Sequence, residues 1–128
     1  MLDVLTREWE DGSMRFAAPG EALFAGRDGG GLLIGIGGIT RDPHAAGALR
    51  MRRFYIAPAA RGAGLGHRLA AAAIAHGRDG GAGLIRLRAP ATACAFWERL
   101  GFRPLTGDAQ ATHHLILRAP AVQARPAR

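Results

Sequence analysis

The 128-residue chain contains no lysine; all 17 of its Lys and Arg residues are arginine. Without lysine no Walker A phosphate loop can be built, because that loop requires Gly-Lys-Ser/Thr. A single cysteine, Cys94, excludes an internal disulfide and fits a reducing, cytoplasmic setting. A single tyrosine, Tyr55, is the one phenol available as an acid. No apolar run approaches the roughly 20 residues of a membrane span. The acidic N-terminus is unlike a charged-then-apolar signal, so no membrane is expected as partner. The length suits one core and not two. Residues 1–118 read as a single domain and 119–128 as a disordered tail. A net charge of +7 would attract nucleic acid, a membrane surface or a polyanionic small molecule. Nucleic acid ranks low among these, since there is no helix-turn-helix, aromatic stacking motif or clustered basic stripe.

What the chain does have is the run from Phe54 to His67, Phe-Tyr-Ile-Ala-Pro-Ala-Ala-Arg-Gly-Ala-Gly-Leu-Gly-His. Met51 to Ile56 is β-prone, and Pro58 stops the ladder because it has no N–H to donate. Arg61 to Gly66 is a glycine-punctuated turn. From Leu65 a stripe of Leu65, Leu69, Ala72, Ala73 and His76 predicts a helix ending near Gly77. Strand, glycine turn and helix start together aim backbone N–H groups and the positive end of the helix dipole at one spot. That is an anion site, and glycine lets the backbone come close to the ligand. The dinucleotide pattern fails here because position 67 is His, and Gly35-Ile36-Gly37-Gly38 fails because position 40 is Thr.

The remaining elements follow from punctuation and periodicity. Met1 to Asp11 reads as a short helix with Leu2, Leu5 and Trp9 on one face. Glu21 to Gly26 reads as a strand, Asp28 to Gly31 as a hairpin turn, and Leu32 to Thr40 as the next strand. Gly35 and Gly37 within that strand imply close approach by a helix or ligand. In Leu84 to Arg88 the period of two buries Ile85 and Leu87 and turns Arg86 and Arg88 away. Ala91 to Leu100 reads as a helix capped by Gly101, Phe102 opens a strand, and Ala111 to Leu117 is the last strand. His113 and His114 are adjacent on that strand, face opposite ways and cannot share a metal. No metal site is read from the sequence, and Cys94 reads as a small core residue.

Arg61-x-x-Gly64-x-Gly66 after a strand ending in Ile56 resembles the coenzyme A pyrophosphate loop of the GNAT N-acetyltransferase superfamily. Ala95-Phe-Trp-Glu-Arg-Leu-Gly-Phe102 resembles the second signature of that superfamily, in the right order and about one βαβα unit downstream. The likeness runs from Glu21 to Leu117. It implies an α/β (α+β) fold, a mixed, mostly antiparallel sheet with helices on both faces. In that fold the strand ending at Ile56 and the strand at Leu84 splay apart to admit the thioester arm of acetyl-CoA. It also implies direct attack of an amine on the thioester in a ternary complex, with a small-molecule amine as acceptor. Gly62, Ala63, Gly64, Leu65, Gly66 and His67 would hold the pyrophosphate, with Arg61 opening the loop. The backbone of Phe54, Tyr55 and Ile56 would pair with the pantetheine arm and polarise the thioester carbonyl.

Three positions depart from the superfamily pattern. Trp97 stands where many relatives carry an acidic tyrosine. Arg50 stands where relatives often carry a glutamate base, and Pro90 replaces a frequent asparagine. A lysine-like amine of pKa about 10.4 costs about 4.6 kcal/mol to deprotonate at pH ~7 without a base. Glu21 and His113 are the candidate bases, each with a structural alternative: a surface ion pair for Glu21 and a hydrogen-bonded core histidine for His113. Arg50, Arg52 and Arg53 place charge on both faces of the central strand and suggest a carboxylate-bearing acceptor, or else a solvated edge. The alternative to an enzyme is a catalytically weak CoA-binding sensor or interaction module. Relatives normally begin with a strand and a helix for which the twenty residues before Glu21 leave no room. The Glu21–Gly26 strand is therefore expected at a bare sheet edge, with two remedies: a homodimer covers it, or the chain starts downstream of its natural beginning.

Overall fold

A computed structural model describes residues 20–117 and the backbone of residues 3–5. The strands are β1 Asp3–Leu5, β2 Ala22–Arg27, β3 Leu33–Arg41, β4 Ala48–Ile56, β5 Leu84–Leu87, β6 Arg103–Pro104 and β7 His113–Ile116. Helix α1, Leu65–Asp79, lies between β4 and β5, and α2, Cys94–Arg99, between β5 and β6. The sheet order is β1-β2-β3-β4-β5-β7-β6, and every neighbouring pair is antiparallel except β4–β5. A parallel pair needs a crossover, and α1 supplies it.

The hairpin between β2 and β3 is closed by Asp28, whose carboxylate accepts from the N–H groups of Gly30 (2.9 Å) and Leu32 (3.0 Å). Both described helices pack on one face of the sheet. Leu69, Ala70 and Ala73 of α1 are fully buried there with Phe24, Ile39, Met51 and Ile85. The close approach expected of Gly35 is by a helix together with the neighbouring strand: a Cβ there would stand 2.9 Å from Ile56 of β4, 3.0 Å from Leu65 and 3.1 Å from Leu69 of α1. Ile85 and Leu87 are buried as the alternation requires, while Arg86 points to the opposite face.

Several sequence expectations are corrected. The buried stripe of α1 is Leu65, Leu69, Ala70, Ala73, Ile74 and Gly77; Ala72 and His76 lie at its margin, His76 edge-on to Phe24. The segment Ala91 to Leu100 splits into a 3-10 turn, Ala91–Ala93, and the short α2, with Ala93 departing from helical geometry at the junction (φ −108, ψ −4). The strand after Gly101 starts at Arg103, with Phe102 turned into the core instead. At the N-terminus, Asp3–Leu5 is a strand and not helix, so an N-terminal strand is present. It pairs Asp3, Val4 and Leu5 with Arg27, Gly26 and Ala25, so β2 is not the sheet edge. The bare-edge argument for a homodimer loses its basis with that pairing. The rest of the expected first helix, and the tail 119–128, lie outside the described residues.

Candidate functional site

β4 carries the site because its ladder is interrupted. The register with β3 runs Thr40↔Arg50, Ile39↔Met51, Gly38↔Arg52, then resumes at Ile36↔Tyr55. Arg53 and Phe54 thus stand together opposite Gly37, a bulge in which Arg53 takes φ +55. A left-handed non-glycine residue costs about 1–2 kcal/mol, which the neighbouring ladder must overcome. The bulge shifts the side-chain phase. Leu49 and Met51 face the helices, and beyond the bulge Phe54 and Ile56 do so, leaving Tyr55 54% exposed on the other side.

On its other edge β4 pairs with β5 only as far as Arg50↔Arg86. Beyond that rung the strands separate around a cleft of about 730 Å³. Phe54, Tyr55 and Ile56 form one wall, Arg88, Ala89 and Pro90 the other, with Phe96 and Trp97 of α2 across the floor. Trp97 is buried at the centre of an aromatic group, edge-on to Phe54 (5.0 Å), Phe96 (4.9 Å) and Phe102 (5.4 Å). Ile56, Arg61, Gly66 and Phe96 also line an adjoining hollow of about 370 Å³ over the glycine loop.

The backbone around that hollow presents unpaired donors. Gly62 and Gly64 take φ +88 and +85, conformations that suit glycine alone. The first bond of α1 runs from Arg68 N–H to the Gly64 carbonyl at 3.1 Å. The amides of Leu65, Gly66 and His67 therefore have no intrahelical acceptor and open at the dipole's positive end. Arg61 folds back, its Nε donating to the Ile56 carbonyl (2.9 Å) with its guanidinium over the Tyr55 ring. Arg99, from the end of α2, lines the same hollow. The sequence signal for Arg99 is its i+3 spacing from Phe96, which puts both on one side of α2.

The other predicted site residues are dispersed. Arg50 is buried against Asp42 (3.5 Å), donates to the Gln110 carbonyl, and does not line the cleft. Arg52 and Arg53 do line it, as does Arg88, which the motif reading did not single out. Arg52 donates to Thr40 Oγ1 (3.1 Å), and burial, then the Arg50 charge, lowers its pKa from the ordinary value. Glu21 accepts from the Arg41 N–H (2.8 Å) at the far end of β3 and is not brought to the cleft. His113 is buried beneath α2, its Nε2 2.8 Å from Glu98 Oε2, and also misses the cleft. Among the described residues lining the cleft there is no carboxylate and no imidazole. A separate hollow of about 520 Å³ between the β3–β4 connection and the end of α1 shares no residue with the cleft.

The sequence model of the acetyltransferase (GNAT) family matches residues 2–102. The chain belongs to that family. A proposed acetyltransferase from Exiguobacterium sp. 255-15 superposes with TM-score 0.73 at 27% identity, covering 79% of this chain and 66% of its own. A proposed acyl-CoA N-acyltransferase from Klebsiella pneumoniae gives TM-score 0.65 at 28% identity, covering 77% of this chain and 73% of its own. YhbS from Escherichia coli, a GNAT N-acetyltransferase solved in complex with CoA, shares the fold at TM-score 0.61 and 16% identity, over 76% and 59% of the two chains. This chain thus spans about two thirds of the length of the Exiguobacterium protein. No curated protein matches the sequence. Family and neighbours together support acyl transfer from a CoA-type donor. Among the described residues no helix is long and apolar enough to cross a membrane.

Proposed function

We propose that the protein is an acetyl-CoA-dependent N-acetyltransferase acting on a small amine that carries a carboxylate. The observation that supports it best is the continuity of the anion hollow with the cleft at Ile56, Arg61 and Gly66. The pyrophosphate would sit on the amides of Leu65, Gly66 and His67, with Arg61 and Arg99 adding charge. The pantetheine arm would run along Phe54–Ile56, beside Phe96 and Trp97. The neutral amine then attacks the thioester carbonyl, and the developing oxyanion meets β4 backbone donors. The C–S bond breaks as the CoA thiolate departs, and the proton shed by the nitrogen passes to that thiolate or to water.

The guanidiniums of Arg52, Arg53 and Arg88 bear on the acceptor in two ways. They attract a carboxylate, and they disfavour an ammonium nearby, which lowers the amine's pKa. An α-amine of pKa about 7.7–8.0 costs only about 1 kcal/mol to deprotonate at pH ~7, far less than a lysine-type amine. Short peptides with free N-termini fit both demands. Calorimetry with acetyl-CoA, CoA and NAD tests the donor. Thiol release over amines with and without carboxylates tests the acceptor. Tight acetyl-CoA binding with no turnover on any amine would favour the second reading, a CoA-binding sensor, which the lack of a carboxylate or imidazole in the described cleft lining supports.

A further inference from the structure

Away from the cleft, three ligand-bearing side chains converge where α2 crosses β7. Cys94 and Glu98 are one helical turn apart on the same side of α2. His113 faces them from β7, and Cys94 Sγ, a Glu98 carboxylate oxygen and a His113 ring nitrogen all lie within 4.8 Å of one another. His113 is 2% exposed, and its ring is held from behind by Thr112 Oγ1, 2.8 Å from Nδ1. That hydroxyl accepts from the Ala89 N–H (2.9 Å), and the Leu87 carbonyl stands 3.5 Å from it as a second acceptor for its hydrogen besides Nδ1. The ring's other nitrogen, Nε2, faces Glu98 Oε2 across 2.8 Å. With Thr112 Oγ1 accepting from Nδ1–H, the Nε2 lone pair is free to take either a proton or a metal ion shared with Glu98. Cys94 Sγ stands on the third side, its one described contact a 3.5 Å approach to the Pro90 carbonyl.

We propose that Cys94, Glu98 and His113 form a binding site for a divalent transition ion of the Zn²⁺ class, held through thiolate, carboxylate and Nε2. Sulfur, nitrogen and oxygen donors together suit such an ion and do not suit Mg²⁺ or Ca²⁺. Tetrahedral ligation at ordinary bond lengths separates ligand atoms by about 3.3–3.6 Å. The Nε2–Oε2 pair must open by about half an ångström to reach that range, which the 44%-exposed Glu98 side chain permits. The Thr112–His113 bond is the outer-shell support that fixes a ligating imidazole. Water completes the fourth position. The ion would tie α2 to β7, and α2 is the element that brings Phe96, Trp97 and Arg99 to the donor site.

The test uses the full chain, free of any tag, stripped with chelator, and titrated with Zn²⁺ by calorimetry and with Co²⁺ by absorption. One equivalent of each metal is expected, with visible d–d bands and a near-ultraviolet thiolate-to-cobalt charge-transfer band. That band can come only from Cys94, the one cysteine in the chain. The near-isosteric Cys94→Ser should abolish the band and weaken Zn²⁺ at least tenfold. Glu98→Gln should weaken it likewise, and His114→Gln, a control on the other face of β7, should leave it unchanged. Zn²⁺ should raise the melting temperature of the wild type and not of Cys94→Ser. Absence of one-equivalent uptake, a cobalt complex without the charge-transfer band, or equal Zn²⁺ affinity in Cys94→Ser would overturn the site and leave a plain histidine–carboxylate pair.

Discussion

Adding one methyl group at Gly37 should damage the proposed donor site from behind. A Cβ built there would fall 2.5, 2.6 and 2.8 Å from three ring carbons of Phe54, distances at which the ring must move. Phe54 is the residue at the bulge, packed edge-on to Trp97 at 5.0 Å and lining the cleft. With Trp97 on one side, the way out of the clash leads into the space proposed for the pantetheine arm. Overpacking of this kind costs about 1–3 kcal/mol. At about 4 °C per kcal/mol for a chain of this size, Gly37→Ala should melt roughly 4–12 °C below wild type. Its CoA affinity should fall by about tenfold or more, which is 1.4 kcal/mol. Phe54→Leu removes the offending ring atoms, so the double variant should melt above Gly37→Ala alone and recover part of the affinity. Thermal unfolding and calorimetry with CoA read both effects in one set of four proteins. Wild-type melting and affinity in Gly37→Ala, or strict additivity in the double variant, would refute the coupling.

Three further outcomes follow from the same geometry. Gly64→Ala meets no atom within 4 Å but keeps φ +85, so it should cost about 1 kcal/mol with modest loss of CoA affinity. Gly64→Glu adds a carboxylate beside the proposed pyrophosphate and should abolish binding; equal affinities of the two variants by calorimetry would remove that assignment. Asp42→Ala strips the fully buried carboxylate from between Arg50 (3.5 Å) and Arg86 (3.0 Å) and should destabilise by about 3–5 kcal/mol in urea, with Asp42→Asn in between. Asp108 has its pKa held below the ordinary 3.8, first by the Gln110 N–H and also by Arg86. A depressed carboxylate stabilises the fold above its unfolded pKa and loses that contribution as pH falls through the folded one. The stability gap between wild type and Asp108→Asn should therefore be constant near neutrality and shrink below pH 3.8, as denaturant titrations at each pH would show.

What the sequence could show was local chemistry. The loop was legible because the positive φ of Gly62 and Gly64 favours glycine, and because the helix stripe after Leu65 fixes where the free amides begin. Ile85 and Leu87 were legible from a period of two. The bulge was not, because nothing in Arg53 itself demands a left-handed backbone; the register against Gly37 imposes it. Without the bulge, counting by twos gives a different face for every residue from Phe54 onward. β1 was hidden by its length, since three residues carry little periodicity and an apolar helical spacing from Leu2 to Trp9 competes with it. Glu98 meeting His113 joins residues fifteen apart through a β7 register that only the folded sheet defines. For the same reason Arg99 was read as part of a signature and not as a cation facing the loop.

Arg50 shows how a departure from a family pattern can be structural in origin. It forms the last parallel rung with Arg86, which places two arginines side by side on the face opposite the helices. Such a pair would repel, yet the Asp42 carboxylate lies between them, and Asp108 takes the outer side of Arg86 at 3.4 Å. The chain beyond this clamped rung diverges, on one strand by the bulge and on the other by the turn into Pro90. The clamp thus sets where the cleft begins, and a glutamate at position 50 would put a second carboxylate beside Asp42 with one guanidinium fewer to balance it. A carboxylate base and this clamp cannot occupy the same rung. In the proposed reaction the burden of deprotonation therefore moves from a side chain to the acceptor itself, whose amine must already have a low pKa or acquire one among Arg52, Arg53 and Arg88. The rate on a carboxylate-bearing α-amine should then rise with pH as its free-base fraction rises, with no second, lower pKa from an enzyme carboxylate in the profile.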